Sequence, residues 1–579
     1  MAFLDFETER VAYFEHPLDF EKLWAVFNRY RMITFNGIGY DMPLIHYALS
    51  GATVEQLKHA SDRIILNDLK PWNFEKEFNV CINPITTNGT ISHVDLMNVA
   101  PGKAGLKTYA GRLHSKVIRE LPFPPDTMLK EEDIQLVRDY CGNDLLLTRD
   151  LYNALKVQLT LREDMTKQYH VDLRSKSDAQ IAEAVMKTEL EKILGHEIRA
   201  PKQKDQITFH YTAPAWMPRT ETVKDVEAEL FSVNFSGKVI IPKSLTGKKI
   251  VKDQAVYRMG IGGLHSSETQ TTYRSDAEYL LIDRDVASYY PAIMINQQLH
   301  PKHVGLEFIK VYQSLVERRL AAKKAGQKTI AESLKICVNG LSGKMGNPYS
   351  PFYSPELMIQ TTLTGQLALL MLIEMLHGHD GIDVISANTD GVTTRVRRDR
   401  RDFFTRIVEG WEMVTDFVTE ESLYESLHIR DVNNYVAIKT DGTVKTKGAY
   451  TETTLQKNPT NTICRRAMLD YLTLDASIES TVRHCQDIRE FVTIRKVNGG
   501  ALYQGQEIGS VLRWYYSDDL AGEAFHYKIN GNKVPRSECA KPLLILPEDG
   551  TLPADLDYEW YINETYTMLN DAGVFPSRR

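Results

Sequence analysis

Acidic residues recur in this sequence at spacings that could bring carboxylates together. In the opening run LDFETE, Asp5 and Glu7 lie two apart on an expected strand, Ala2 to Phe6, so their side chains leave one face. Carboxylates that close repel unless a cation lies between them, and magnesium is the usual one. Asp41 follows an apolar strand in FNGIGYD, and Tyr140 and Asp144 in DYCGND are four apart on one helical face. Four acids drawn from strand ends and a helix can hold two metal ions, one activating water and the other stabilising the leaving oxygen of a phosphodiester. A second set begins in EYLLIDRDVASYYPAIM, an apolar strand that ends in Asp283 and Asp285. These two share a face, so spacing alone does not say which of them binds a metal. Asp390, in SANTDGV, sits in a tight turn between two β-rich runs and would project a carboxylate toward Asp285. Two aspartates on adjoining strands that bridge two magnesium ions meet the need of in-line nucleotidyl transfer.

Each pattern taken singly has a plainer use. Two acids on a strand can face solvent, Tyr140 can be a core aromatic, and Asp-Gly suits the backbone of a hairpin turn. Between the second pair of acids, LKICVNGLSGKMG puts Lys335 and Asn339 on one helical face, and Arg319 and Lys323 form a similar pair on the preceding helix. Cations facing inward from such a helical hairpin could grip a triphosphate through charge-assisted hydrogen bonds, although exposed Lys and Arg are commoner. A phosphate-loop reading of Gly343-Lys344 fails, because Met345 stands where Ser or Thr is required.

The elements that must position these residues are mixed. The first 155 residues alternate short strands with helices and close on a helix from Glu131 to Leu155, as an α/β unit does. Residues 156–276 read as a connecting unit. A second strand-and-helix section follows, with helices at Ile309 to Ala325, Ile330 to Leu341 and Leu363 to Leu376, then the hairpin GIDVISANTDGVTTRV. At 579 residues the chain has room for roughly three or four compact units, and its 43% apolar and 25% charged residues are those of a folded protein. The longest unbroken apolar run, Leu367 to Ile373, is too short to cross a bilayer, and the N-terminus lacks a basic, apolar leader. Cys81, Cys141, Cys337, Cys464, Cys485 and Cys539 are scattered without zinc spacing, which points to reduced thiols in a cytoplasm. The net charge of -7 disfavours a nucleic-acid partner by its sum, but basic clusters occur at Lys243 to Lys252, Arg318 to Lys328, Arg395 to Arg401 and Lys457 to Arg466.

In combination these residues resemble the family B DNA polymerases, above all the compact bacteriophage enzymes. Asp5 with Glu7, Asn36 with Tyr40 and Asp41, and Tyr140 with Asp144 are similar to three exonuclease motifs of the ribonuclease-H-like fold; DVASYYP, KICVNGLSG and NTDG are similar to the first palm, fingers and second palm motifs, in the family's order. MGIGGLHSSE, VKTKGAY and SVLRWYYS extend the likeness along the chain. The resemblance implies an α/β and α+β multidomain protein: a ribonuclease-H-like exonuclease domain at 1–155, a connecting domain at 156–276, and a right-hand polymerase with palm at 277–304 and 345–450, fingers at 305–344 and thumb at 451–579.

It implies Mg2+, two per site and replaceable by Mn2+, on Asp285 and Asp390 for polymerisation and on Asp5, Glu7, Asp41 and Asp144 for 3′–5′ hydrolysis, with Tyr140 orienting the attacking water. Arg319, Lys323 and Lys335 would clamp the triphosphate, Asn339 would line the nucleotide pocket, and the Tyr290 ring would exclude a ribose 2′-hydroxyl. Gly262, Gly263, Lys447 and Lys457 would meet DNA, with Arg465 and Arg466 beside Lys457. The expected partners are primer-template DNA, deoxynucleoside triphosphates and a replication factor such as a helicase-primase, in a host cytoplasm if phage-encoded. No terminal protein is expected, since 286–334 and 344–389 leave little room for the insertions of protein-primed relatives. Departures from the family pattern are Asn388 for the first Asp of Asp-Thr-Asp, Ser342 for the fingers Tyr, and a short stretch, 8–35, before Asn36. Two alternatives remain, a polymerase with an impaired exonuclease and a nuclease with a non-catalytic DNA-binding polymerase body.

Overall fold

The computed structural model describes residues 1–577 apart from 16–17, 83–84, 87–88, 91, 203–206, 235–238, 247, 253–254, 261 and 520–522. Its described residues form 18 α-helices and several sheets in a mixed α/β arrangement. The largest sheet has ten strands, and its pairings are antiparallel. Tyr279–Val286 is central, flanked by Gly391–Arg397 on one side and Thr419–Asp431 on the other. The sheet continues past Gly391–Arg397 to Ile382–Asn388, and past Thr419–Asp431 to Asn434–Lys439 and Val444–Lys447. Leu281 and Ile282 are wholly buried at its middle, which is why that strand reads as an unbroken apolar run before its acids.

One face of this sheet is covered by the helix Pro355–Leu376, which begins two turns before the expected Leu363 because Pro355 suits the first helical turn. It is long and apolar enough to cross a membrane by length and composition, yet 72% of its apolar window is buried in the protein. Trp411, on the helix Arg401–Thr415, packs against it and donates from Nε1 to the Ala368 carbonyl at 2.9 Å.

The expected connecting residues, 156–276, contribute to two different cores. Helices Lys156–Tyr169 and Asp178–Leu194 pack with the hairpin of Glu307–Lys324 and Lys328–Gly340, whereas Tyr211, Phe231, Tyr257 and Leu264 join the core of the large sheet. A Cβ on Gly340 would lie 2.9 Å from the Ala182 Cβ, so the two helices touch there through small residues. The C-terminal section has its own core around Trp514, Phe491 and Tyr561, built on the hairpin Thr493–Tyr503 and Gln506–Tyr516 and the helices Thr462–Leu474 and Tyr558–Asp571.

The N-terminal section departs from expectation. Its described strands make three small pairs, Ala2–Leu4 with Val11–Tyr13, Met32–Thr34 in parallel with His93–Asp95, and Ile85–Thr86 with Gly89–Thr90, in place of one ribonuclease-H-like sheet. Between Val11–Tyr13 and Met32–Thr34 the described residues hold one helix, Phe20–Arg29, and no further strand. The section is clasped to the C-terminal one by Arg513, itself 5% exposed, whose guanidinium donates to the carbonyls of Ser115 at 2.7 Å, Lys116 at 3.0 Å, Leu543 at 2.9 Å and Leu544 at 3.2 Å.

Candidate active site

Asp283 and Asp285 share a face of the central strand, as their spacing requires, but their surroundings differ. Asp283 is buried at 5% exposure and its oxygens are taken: Thr393 Oγ1 donates to Oδ1 at 2.6 Å, while the Tyr424 hydroxyl and Lys445 Nζ share Oδ2. Asp285 is half-exposed and faces a cavity of about 290 Å³ that Asp390, Asn388, Asp431, Lys445 and Lys447 also line. Burial raises the Asp285 carboxyl above its usual range, and Asp283 adds to the effect. Burial likewise raises Asp390, with Asp285 adding repulsion. Lys445 and Lys447 oppose the rise at both carboxylates without cancelling it, which leaves a pair suited to a further cation.

The hairpin turn that presents Asp390 differs from the Asp-Gly form. Asn388 pairs with Gly391, so the two-residue loop is Thr389-Asp390, and the positive φ, 61°, falls on Thr389. Gly391 meets a steric need instead. It lies opposite Asp285, and a Cβ there would come within 2.1 Å of Asp285 Oδ1. The Val286 N–H donates to the Asp390 carbonyl at 2.8 Å, tying the two acidic segments together.

The helical cations divide into two groups. Arg319 Nη1 donates to Ser288 Oγ at 2.9 Å, and Lys323 reaches Glu420 at 3.4 Å, the residue opposite Asp285 on the neighbouring strand. Both thus approach the end of the central strand. Lys335 instead meets Glu332 on its own helix at 3.5 Å, and Asn339 is exposed, so neither is drawn into the site. The Tyr290 hydroxyl, pushed up to about 12 by burial and Asp390, donates to the Gly262 carbonyl. Gly263 abuts Thr389, with 2.8 Å between its absent Cβ and the Thr389 hydroxyl, while Ile261 of the same segment lies outside the described residues. Lys447 lines the cavity. Lys457 does not: its ammonium donates to the carbonyls of Gly448 at 2.8 Å and Ala449 at 3.1 Å, bracing the turn after Val444–Lys447. Arg465 donates to the Tyr450 carbonyl, and Arg466 lies 3.6 Å from Glu490. The Arg395 to Arg401 cluster is also engaged, with Arg397 on Asp380 and Asp399, Arg401 on Glu421, and Arg395 stacked on Tyr279.

The first set of acids is looser. The strand ends at Leu4, so Asp5 and Glu7 sit in a turn rather than on one strand face. Asp5 Oδ1 accepts from the Glu7 N–H at 2.9 Å and from Thr8 at 3.4 Å, and these bonds hold its carboxyl below the usual range; Glu7 is exposed. A short side chain that bonds the backbone two residues on favours a turn over a continued strand. Asp41 opens the helix Asp41–Leu49, where burial and then Asp95 push its carboxyl up to about 6. Asp144 is raised by burial, its Oδ1 is buried without a partner, and Tyr140 beside it is raised by burial and by that carboxylate. Among the described residues, no three acidic, His or Cys side chains form a group able to hold a metal ion. An orphaned buried oxygen on Asp144 fits a missing cation, but the set of four does not close around one.

Sequence reasoning missed four residues. Lys445, two before Lys447 on one strand face, bridges Asp283 and Asp285 at 3.0 and 3.1 Å; burial lowers its pKa, but the two carboxylates outweigh this and hold it above the usual range. The alternation in VKTKGAY was the available signal. Tyr424 and Thr393 carried none. Asp95, at 2% exposure, accepts the N–H groups of Asn36 at 2.8 Å, Ile38 at 3.0 Å and Met97 at 2.9 Å, which shapes the turn leading to Asp41, with Asn36 at a φ of 65°.

No family model and no curated protein matches the sequence. Among solved structures, the chain is similar to the family B DNA polymerase of the hyperthermophilic archaeon Pyrobaculum calidifontis, with a TM-score of 0.42 and 14% identity over 98% of this chain and 74% of that one.

Proposed function

We propose that this chain is a DNA-dependent DNA polymerase that adds deoxynucleotides to a primer 3′-hydroxyl at Asp285 and Asp390, with a 3′–5′ exonuclease site at its N-terminal acids. The observation that carries the reading is the meeting of Asp285 and Asp390 at one cavity, each raised by burial and by a neighbouring carboxylate, beneath a helix that brings Arg319 and Lys323 to the same strand end.

Bound Mg2+ would supply the charge that lowers the pKa of the primer hydroxyl and neutralises the triphosphate. The chain's own residues do the rest. Asp285 and Asp390 would hold the metals; Asp283, saturated by Thr393, Tyr424 and Lys445, fixes the strand beneath them. Arg319 and Lys323 exchange Ser288 and Glu420 for phosphate oxygens, and Lys335 and Asn339 on the second helix of the hairpin would complete the grip on the nucleotide. The Tyr290 ring lies beside the incoming sugar and disfavours a 2′-hydroxyl. Asn388 removes one negative charge from the site and leaves Asp390 to act. The substrate is an ordinary primer-template, and the setting is phage DNA replication alongside a helicase-primase.

At the N-terminal acids, Asp41 and Asp144, both raised by burial, would be the metal ligands, with Tyr140 beside Asp144. A second reading, polymerase with an impaired exonuclease, is favoured by the exposure of Glu7 and the turn position of Asp5. Gel-resolved reactions on a 5′-labelled primer-template with Mg2+ separate the two, using wild type, Asp390→Ala and Asp144→Ala. Extension with nucleotides and 3′ shortening without them, each lost only in its own variant, supports the two-site enzyme. Extension without shortening selects the second reading, and no extension by any protein refutes the polymerase.

A further inference from the structure

Lys445 Nζ lies 3.0 Å from Asp283 Oδ2 and 3.1 Å from Asp285 Oδ2, a position between two carboxylates that a bound cation would otherwise occupy. Its two partners are not equivalent. Asp283 is buried and has Thr393 and Tyr424 as hydrogen-bond partners besides Lys445. Asp285 is half-exposed, faces the cavity, and has Lys445 as its only ion-pair partner among the described residues. A divalent ion binds a carboxylate oxygen at about 2.1–2.5 Å. An ammonium already 3.1 Å from Asp285 Oδ2 would then be crowded against that ion with like charge, so the two cannot share the oxygen.

We propose that Lys445 is a displaceable counter-ion, a positioning residue that holds Asp285 against Asp283 in the metal-free protein and retreats onto Asp283 alone when a divalent cation takes Asp285. Asp283 is the fixed post of this exchange. Lys445 stays within reach because its strand, Val444–Lys447, is registered on Asn434–Lys439, with Lys445 opposite Ala437. The device would keep the Asp285 carboxylate in place before substrate arrives, at the cost of weaker metal affinity. It rests on reading Asp285 and Asp390 as the metal pair.

The test is calorimetric Mn2+ titration of the full chain without DNA, in an Asp144→Ala background that removes the N-terminal contribution, comparing that background with added Lys445→Met or Asp390→Ala. Lys445→Met should bind Mn2+ about tenfold tighter, the size of a typical coupling between adjacent sites, and Asp390→Ala should lose the binding. In the wild type, acylation of Lys445 by an amine-reactive ester, read by mass spectrometry, should rise when Mn2+ is added; this arm needs no variant and decides the matter if Lys445→Met fails to fold. Unchanged or weaker Mn2+ binding in Lys445→Met, or unchanged labelling, makes Lys445 a fixed structural partner and overturns the proposal while the metal pair stands. Mn2+ binding that Asp390→Ala leaves intact refutes the metal pair and the proposal with it.

Discussion

Gly391→Ala should cripple nucleotide addition without unfolding the protein. The new methyl group would lie 2.1 Å from Asp285 Oδ1 and 2.9 Å from the Arg284 carbonyl, where ordinary contact begins at 3.4 Å. The Arg284 oxygen belongs to a central strand paired on both sides and has little freedom to move, so the Asp285 carboxylate must retreat by roughly 1 Å, and a misplacement of that size costs on the order of 100-fold in rate. Overpacking of this kind costs about 1–3 kcal/mol of stability. The assay is single-nucleotide addition to a primer-template, with melting temperature measured alongside. The variant should show kcat reduced about 100-fold with nuclease activity retained. Gly410→Ala is the control: its Cβ meets nothing within 4 Å inside the helix Arg401–Thr415, so it should gain about 0.5–1 kcal/mol and leave addition unchanged. A folded Gly391→Ala protein that adds nucleotides at the wild-type rate would refute the placement of Asp285.

Three further expectations concern the N-terminal section and its clasp. His114 is pushed down to about 4 by burial, then by Arg513 and Arg489, so below pH 6.5 the unfolded chain gains a proton that the folded one refuses; stability is full above that pH and falls toward pH 4, by on the order of 2–3 kcal/mol. Melting curves of His114→Gln should lose that part of the acid sensitivity, and parallel pH profiles would count against it. Arg513→Met removes the guanidinium from four carbonyls, of which Lys116 keeps the Leu546 N–H, and should cost about 3 kcal/mol in denaturant titration, with faster proteolysis between the N- and C-terminal sections; wild-type stability would contradict the clasp. Asp95→Ala frees two backbone N–H groups of the turn before Asp41, those of Asn36 and Ile38, and that of Met97, so 3′ shortening should fall about tenfold while extension is unchanged; equal loss of both would mean general damage.

The parts of the molecule legible in the sequence are those that depend on local pattern. Alternation around the turn marked the hairpin of Ile382–Asn388 and Gly391–Arg397, and helical spacing marked the Glu307–Lys324 and Lys328–Gly340 pair, each within a few residues of its observed ends. What was not legible depends on distant chain. Asp283 and Asp285 are equivalent by spacing, and only burial with Thr393 and Tyr424, which arrive from two other strands, distinguishes them. Lys457 looked like a phosphate ligand until the carbonyls of the turn at 448–449 were seen to hold it. At Asp5 a local effect was misjudged: the carboxylate bonds the backbone after it and ends the strand, so Glu7 never reaches the same face. Asp95 was hidden for another reason, since a buried acid that serves only backbone N–H groups leaves no periodic trace.

The central claim is that Asp285 and Asp390 direct templated addition of deoxynucleotides. It is tested most directly by offering each deoxynucleotide singly, with Mg2+, opposite each template base, to the wild type and to Asp390→Asn, a variant that keeps the shape of the turn. The account predicts addition of the complementary deoxynucleotide alone, and a loss on the order of 1,000-fold or more in Asp390→Asn, the scale expected when a metal-holding charge is removed from a transition state. Addition that ignores the template base, or that survives Asp390→Asn undiminished, would contradict it.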